Sequence, residues 1–378
     1  MGAKHWHFIP TLILGVVVAA TANPSRGQDG SLLPGFRFAP RYWHPRAAVD
    51  VSRAMRQAAT GQTIPLWSGV FTYQGVTYPY VMVGTDPALG SKRSRIPVTI
   101  VPLEFDLPDG TVLSPTNPVC GGTKTAVELT RKSPIFTSSL FTPGGTRVGR
   151  TQYVDAFQRA NFWSDVSTTS PRYHVTLTSP KVLSTQVISV PAASAQVFSG
   201  PCGNYAKVDF GFYVMTLLGL SSELPEVTPD SLAIVLTYNV FLTDPVTPGG
   251  AILGFHYAID LGAGVQTFIS AAYSDPGIFS GNADITTLSH EVGEWMDDPL
   301  ANNPTPGWLA GQATQCQSDL EVGDPVSGVS FAVTKGAITY HPEDLVFLPW
   351  FARQLPSTSV NGWYTFLNTF GAPPVVCH

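Results

Sequence analysis

The run His290-Glu291-Val292-Gly293-Glu294 constrains this chain more than any other stretch. In an α-helix, residues four apart share a face, so His290 and Glu294 present an imidazole and a carboxylate to the same point. That pair suits a divalent metal, because zinc accepts two His and one carboxylate as a catalytic ligand set. Glu291, directly after the first donor, is placed to take a proton from water activated there. All of this requires a helix. Asp284 offers an N-cap, the run from Ile285 to Asp297 holds no breaker except Gly293, and Pro299 ends it. The pattern predicts a helix of about three turns that follows directly on a strand.

A metal site also needs a third protein ligand, and groups behind the ligands to orient them. Glu321, in Glu321-Val322-Gly323-Asp324, is the favoured third ligand, because a loop rich in Pro, Gly and Asn can return the chain to the helix there. Asp324 and Asp298 are candidates to orient His290, although Asp298 also suits a plain loop cap before Pro299. His341, in Tyr340-His341-Pro342-Glu343-Asp344, is the rival third ligand. It is equally a catalytic candidate, as proton donor or oxyanion-stabilising group. His174 and His256 fall in strand-like segments and read as packing or surface residues. The expectation is one zinc per chain on His290, Glu294 and Glu321, with Glu291 and His341 as catalytic groups and a peptide or protein as substrate.

These residues resemble the zincin class of metallopeptidases in a His-Glu-x-x-Glu variant. The chain is similar in a second way to the phosphate-induced, exordium-like secreted proteins. The matches are His290, Glu291 and Glu294, then Asp298-Pro299, Trp308, and Glu321 with Asp324. They cover about a quarter of the chain, from Ser231 to Asp324. Two features depart from the second pattern: Cys316 precedes Glu321 instead of following Asp324, and the long N-terminal part has no counterpart. The resemblance implies an exported, metal-dependent protein with a zincin-like core. It does not by itself imply peptidase activity, since exordium-like proteins act in growth and signalling. Two other readings therefore stand beside the peptidase: a non-catalytic exported binding or cell-surface protein with a structural metal, and a glycosidase built on paired carboxylates. Against the latter, a glycosidase has no need of His290 at that spacing. The sequence holds no Gly-x-Ser-x-Gly elbow, no phosphate loop and no dinucleotide fingerprint.

The N-terminus reads as an address. Lys4 precedes an apolar run from Phe8 to Ala20, and Ala20-Thr21-Ala22 has the small-x-small pattern of a signal peptidase site. Residues 1–22 are therefore expected to be a signal peptide and the mature protein to be secreted, extracellular or periplasmic. No other apolar run approaches a membrane span and no basic block offers a polyanion footprint, which argues against membrane proteins and nucleic-acid binders.

Hydrophobic residues make up 44% of the chain and charged residues only 12%, as expected of a well-buried globular protein, while 33 Pro and 35 Gly require many turns. The expected fold class is α+β. Strand-like segments Ile64 to Tyr73, Val76 to Val83 and Pro97 to Phe105 build a β-rich N-terminal lobe over residues 23–165. The zincin-like half, 166–378, has a mixed sheet and the motif helix, its central strand being Leu232 to Leu242; one compact domain is the alternative. Within the first part, Arg46 to Ala59 and an amphipathic Gln152 to Trp163 are expected helices.

Cys120, Cys202, Cys316 and Cys377 all lie beyond the signal peptide, where oxidation is expected. Sequence does not choose among their pairings; proximity along the chain favours Cys120 with Cys202 and Cys316 with Cys377. Intact mass after alkylation should show no accessible thiol until the protein is reduced, and then four. Each bridge should contribute about 2–4 kcal/mol. Free thiols at Cys316 and Cys377 in the unreduced protein would contradict this.

Overall fold

Two strands from opposite halves of the chain lie side by side at the centre of the fold. The computed structural model describes residues 36–37, 49–244, 249–260, 262, 264–311, 313 and 315–377; the expected signal peptide lies outside the described residues. Helix α1, Val51–Ala59, starts at Asp50, whose carboxylate accepts from the Arg53 amide at 3.1 Å. Strands β1, Leu66–Tyr73, and β2, Val76–Val83, form a hairpin on Gln74-Gly75, both at positive φ as a two-residue turn of this type requires. Strand β3, Val98–Asp106, then leads through short strands and the helix Ala126–Lys132 to helix α2, Tyr153–Asn161. The second half supplies strands β4, Leu232–Tyr238, β5, Gly254–Asp260, and β6, Val265–Phe279, and helix α3, Thr286–Asp297.

The fold is α+β. β3, β4 and β6 run parallel, and β5 closes the edge antiparallel to β6. Thus strands from both sides of residue 165 share one sheet, and Pro34–His378 is one compact unit. All seven residues of β4 are buried, which is why its apolar run does not alternate. The expected single strand to Leu242 breaks at Asn239, which takes a positive φ of 54°. The Asn239 side-chain amide and the Tyr238 hydroxyl both donate to Asp275, at 2.8 and 2.7 Å, and Val240–Thr243 continues in a second sheet. Bridges Cys120–Cys202 and Cys316–Cys377 are both formed. Among the described residues, no helix is long and apolar enough to cross a membrane.

α3 packs against β5 and β6 on one side and against α2 and β2 on others, so all twelve of its residues are buried. Its start differs from expectation. Asp284 sits at φ 43° outside the helix, and its carboxylate accepts from the amides of Ile285 and His341, at 2.6 and 2.9 Å. α2 also differs: it is buried on every face, including Asp155 and Arg159. These two do not simply pair. The Asp155 carboxylate accepts from Thr151 Oγ1 and the Val175 amide, and Arg159 donates to the carbonyls of Val148 and Tyr173. Strand His174–Leu177 and the loops around it cover what would otherwise be a solvent face.

Gly293 is a weak helix former in the middle of α3, and packing explains it. A Cβ there would approach Leu345 Cδ1 to 2.5 Å, and Leu345 is fully buried. Helix propensity alone makes Gly293→Ala stabilising by about 1 kcal/mol. Overpacking of the core should reverse the sign, giving a loss of about 1–3 kcal/mol in denaturant unfolding. A rise in stability would show that α3 and Leu345 are not in this contact.

Candidate metal centre

α3 carries His290, Glu291 and Glu294 into the interior, where their exposures are 0%, 1% and 3%. His290 Nε2 lies 3.0 Å from Glu294 Oε1, as the i,i+4 spacing requires. The other face of the ring is held from a distance in sequence. His290 Nδ1 contacts Glu343 Oε2 at 2.6 Å, while the Glu343 amide donates to Ser289 Oγ and its Oε1 accepts from the Gly328 amide. Glu343 therefore sets the ring's orientation and turns Nε2 toward Glu294. Gly323 lies against the same ring, and a Cβ there would collide with it, so the ring has a fitted cradle.

Glu321 and Asp324 reach the site because strands Pro304–Trp308 and Gln317–Asp319 form a hairpin that brings the chain back. The amides of Gly323 and Asp324 donate to Glu294 Oε1 at 3.1 and 3.2 Å. Asp324 Oδ1 stands 3.7 Å from His290 Nε2. On the opposite side, β5 supplies His256, which is 1% exposed. Its Nδ1 lies 3.6 Å from Glu291 Oε2, 3.5 Å from Glu294 Oε2 and 4.0 Å from Glu321 Oε2.

Other expected residues take different places. Asp298 caps the loop after α3, accepting from the amides of Asn302 and Asn303 at 2.9 Å each. His341 is paired with Asp284 at 2.6 Å and belongs to neither described group of three close donors. Two residues of the site were not assigned to it from the sequence. His256 was read as packing, although a histidine within the otherwise apolar run of Gly254 to Ile259 signals a buried polar group in need of partners. Glu343 was passed over for its neighbour His341, and no local pattern points to it.

Electrostatics show how tightly these groups depend on each other. Burial pulls the His290 pKa down, but Glu294 and Glu343 more than offset it and leave the imidazole well above its usual range. His256 behaves alike, burial being outweighed by Glu321, Glu291 and Glu294. Burial pushes Glu294 up, yet His290 and His256 hold it well below the carboxylate range. Glu321 and Asp324 are driven well above it, by burial first and then by the charge on Glu294.

Groups of three donors within 4.8 Å of one another are His290–Glu294–Asp324 and His256–Glu294–Glu321, and either donor set can hold a metal ion. The chemistry of the residues fits such an ion on three counts. The donors are nitrogen and oxygen, Glu343 orients His290 from behind, and buried Glu291 has no hydrogen-bond partner on either carboxylate oxygen. No family model, curated protein or solved structure matches the chain, so these residues carry the functional argument alone.

Replacing Glu343 by Gln keeps the shape but removes the charge that orients His290. Metal affinity should fall by about 10–100-fold in competition with a chromogenic chelator. Unchanged affinity would mean that His290 is not a ligand or that its orientation is set elsewhere.

Proposed function

We propose that the protein is an exported, zinc-dependent metallopeptidase in which His290 and Glu294 bind the metal. The observation that carries this reading is the pairing of His290 Nε2 with Glu294 Oε1, with Glu291 buried on the same helix and neither of its oxygens hydrogen-bonded among the described residues. Asp324 is the better third donor to that ion, because Glu321 turns toward His256. Zinc in this position supplies Lewis acidity, acidifying water and polarising a scissile carbonyl.

The chain's own residues do the rest. Glu291 takes the proton of the attacking water and passes it to the leaving amine, and burial, which raises its pKa, suits it to give that proton back. Among the described residues β5 has a strand neighbour on one side only, and we assign its edge to an extended peptide beside the metal. Burial of the cluster excludes bulk water and strengthens the polarisation of the carbonyl. A second reading, a non-catalytic exported protein with a structural ion, is favoured by the near-complete burial of His290, Glu291 and Glu294, because structural sites are closed.

Zinc should remain with the purified full chain through gel filtration and be stripped by a chelator. It should also leave on acidification: Glu294 and Glu343 raise proton affinity at His290, so protons compete with metal more strongly as pH falls. Glu291→Gln should keep the zinc and lower peptide hydrolysis by about 10²–10⁴-fold, whereas His290→Ala should lose both. Zinc-loaded wild type that cleaves no member of a peptide library would leave the structural reading standing, and a chain with no zinc would defeat both readings.

A further inference from the structure

His256 is the residue that a single-metal site leaves unexplained. It reaches the cluster from β5, a different element from the motif helix, and is 1% exposed among Glu291, Glu294 and Glu321. A zinc ion with donor bonds of about 2.0–2.2 Å reaches two donor atoms no more than about 4.4 Å apart. Among the described residues, no group of three donors within 4.8 Å holds both imidazoles, so one ion at these positions does not take both. Instead the two groups share Glu294, and its oxygens divide between them. Oε1 faces His290 at 3.0 Å and Oε2 faces His256 at 3.5 Å. A carboxylate divided in this way could serve as the bridge between two ions, as in two-metal centres.

From this geometry we infer a second divalent-cation site on His256, Glu294 and Glu321, bridged through Glu294 to the ion on His290, Glu294 and Asp324. An observation independent of the donor set points the same way. Glu291 is 1% exposed, accepts no hydrogen bond among the described residues, and has Oε2 3.6 Å from His256 Nδ1, beyond hydrogen-bond reach. The strand leaves room for it: a Cβ at Gly254 would lie 2.7 Å from Glu291 Oε1. The second ion also gives Glu321 a task, since the first ion draws its oxygen donors from Glu294 and Asp324. Each set has one imidazole and two carboxylates, mixed nitrogen and oxygen donors of the kind that first-row divalent cations take. The inference rests on the metal reading above but not on peptide hydrolysis.

The test is a zinc titration of chelator-treated full chain against a chromogenic competitor, with circular dichroism confirming the fold of each protein. Wild type should take up two equivalents. His256→Gln and Glu321→Gln should each bind one, with the remaining affinity within a few-fold of the tighter wild-type site. Glu294→Ala should bind neither tightly. Saturation of wild type at one equivalent overturns the second site and leaves the single-metal reading intact. So does a second equivalent that survives both His256→Gln and Glu321→Gln. Saturation at zero overturns both. Where His256→Gln fails to fold, Glu321→Gln decides, since its side chain is at the less buried rim of the cluster, 10% exposed against 1% for His256.

Discussion

The carboxylate of Glu294 is the point on which the interior of this protein depends. It is buried, and an isolated charge so placed costs several kcal/mol. Four groups from three parts of the chain offset that cost: His290 one turn earlier in α3, His256 from β5, and the amides of Gly323 and Asp324 from the returning loop. Each of these placements has its own support. β5 is held by its pairing with β6, and the loop follows a hairpin joined to the C-terminus by Cys316–Cys377. α3 is fixed by its apolar face, where Leu288, Val292, Trp295 and Met296 join the main core. The core therefore positions the charges, and the charges in turn tie the loop to the core.

Charge balance makes the same cluster responsive to a cation. Glu291, Glu294, Glu321, Asp324 and Glu343 surround His256 and His290, so even two imidazolium ions leave an excess of negative charge if every acid is ionised. Burial first, and then the charge on Glu294, drives the Glu321 and Asp324 pKa values up, which makes these two acids the ready proton acceptors of the cluster. A divalent ion bound there would replace protons with charge that does not titrate. Its binding would thereby be coupled to proton release and to folding stability in one step.

The sequence made the helical part of this site legible because its residues interact within one turn. His290, Glu291 and Glu294 have a relation set by helix geometry alone, and α3 spans nearly the expected residues. The first hairpin was legible locally too: β2 and the Gln74-Gly75 turn are where β-branched and aromatic content and turn chemistry put them. What local pattern does not encode is which distant segment meets the helix. His256 and His290 come together only through the antiparallel return from β5 to β6, and Glu343 only through the chain after Pro342. The buried polar network of α2 was hidden likewise, since Asp155 and Arg159 look like an exposed pair until Val148, Tyr173 and Val175 supply their partners. The disulfide pairs followed chain proximity, as expected when each bridge closes one local excursion.

Exposure falls in one direction across the cluster, and this sets how anything enters it. The side chains of Asp324 and Glu321 are 16% and 10% exposed, whereas His290 and Glu291 are at 0% and 1%. α3 is enclosed by the sheet, by α2 and by the β1–β2 hairpin, through core side chains and through hydrogen bonds from Gln158 and Asn161 to Asp297 and from Trp295 to Thr267. The loop that carries Glu321 and Asp324 is anchored in the core as well, through Leu320 and Val322, but Glu321 and Asp324 are the more exposed acids of the cluster. It carries two of the candidate donors and forms the less buried side of the cluster. Its position decides between the two metal readings, because a structural ion needs this wall closed and hydrolysis needs it to admit a peptide to Glu291.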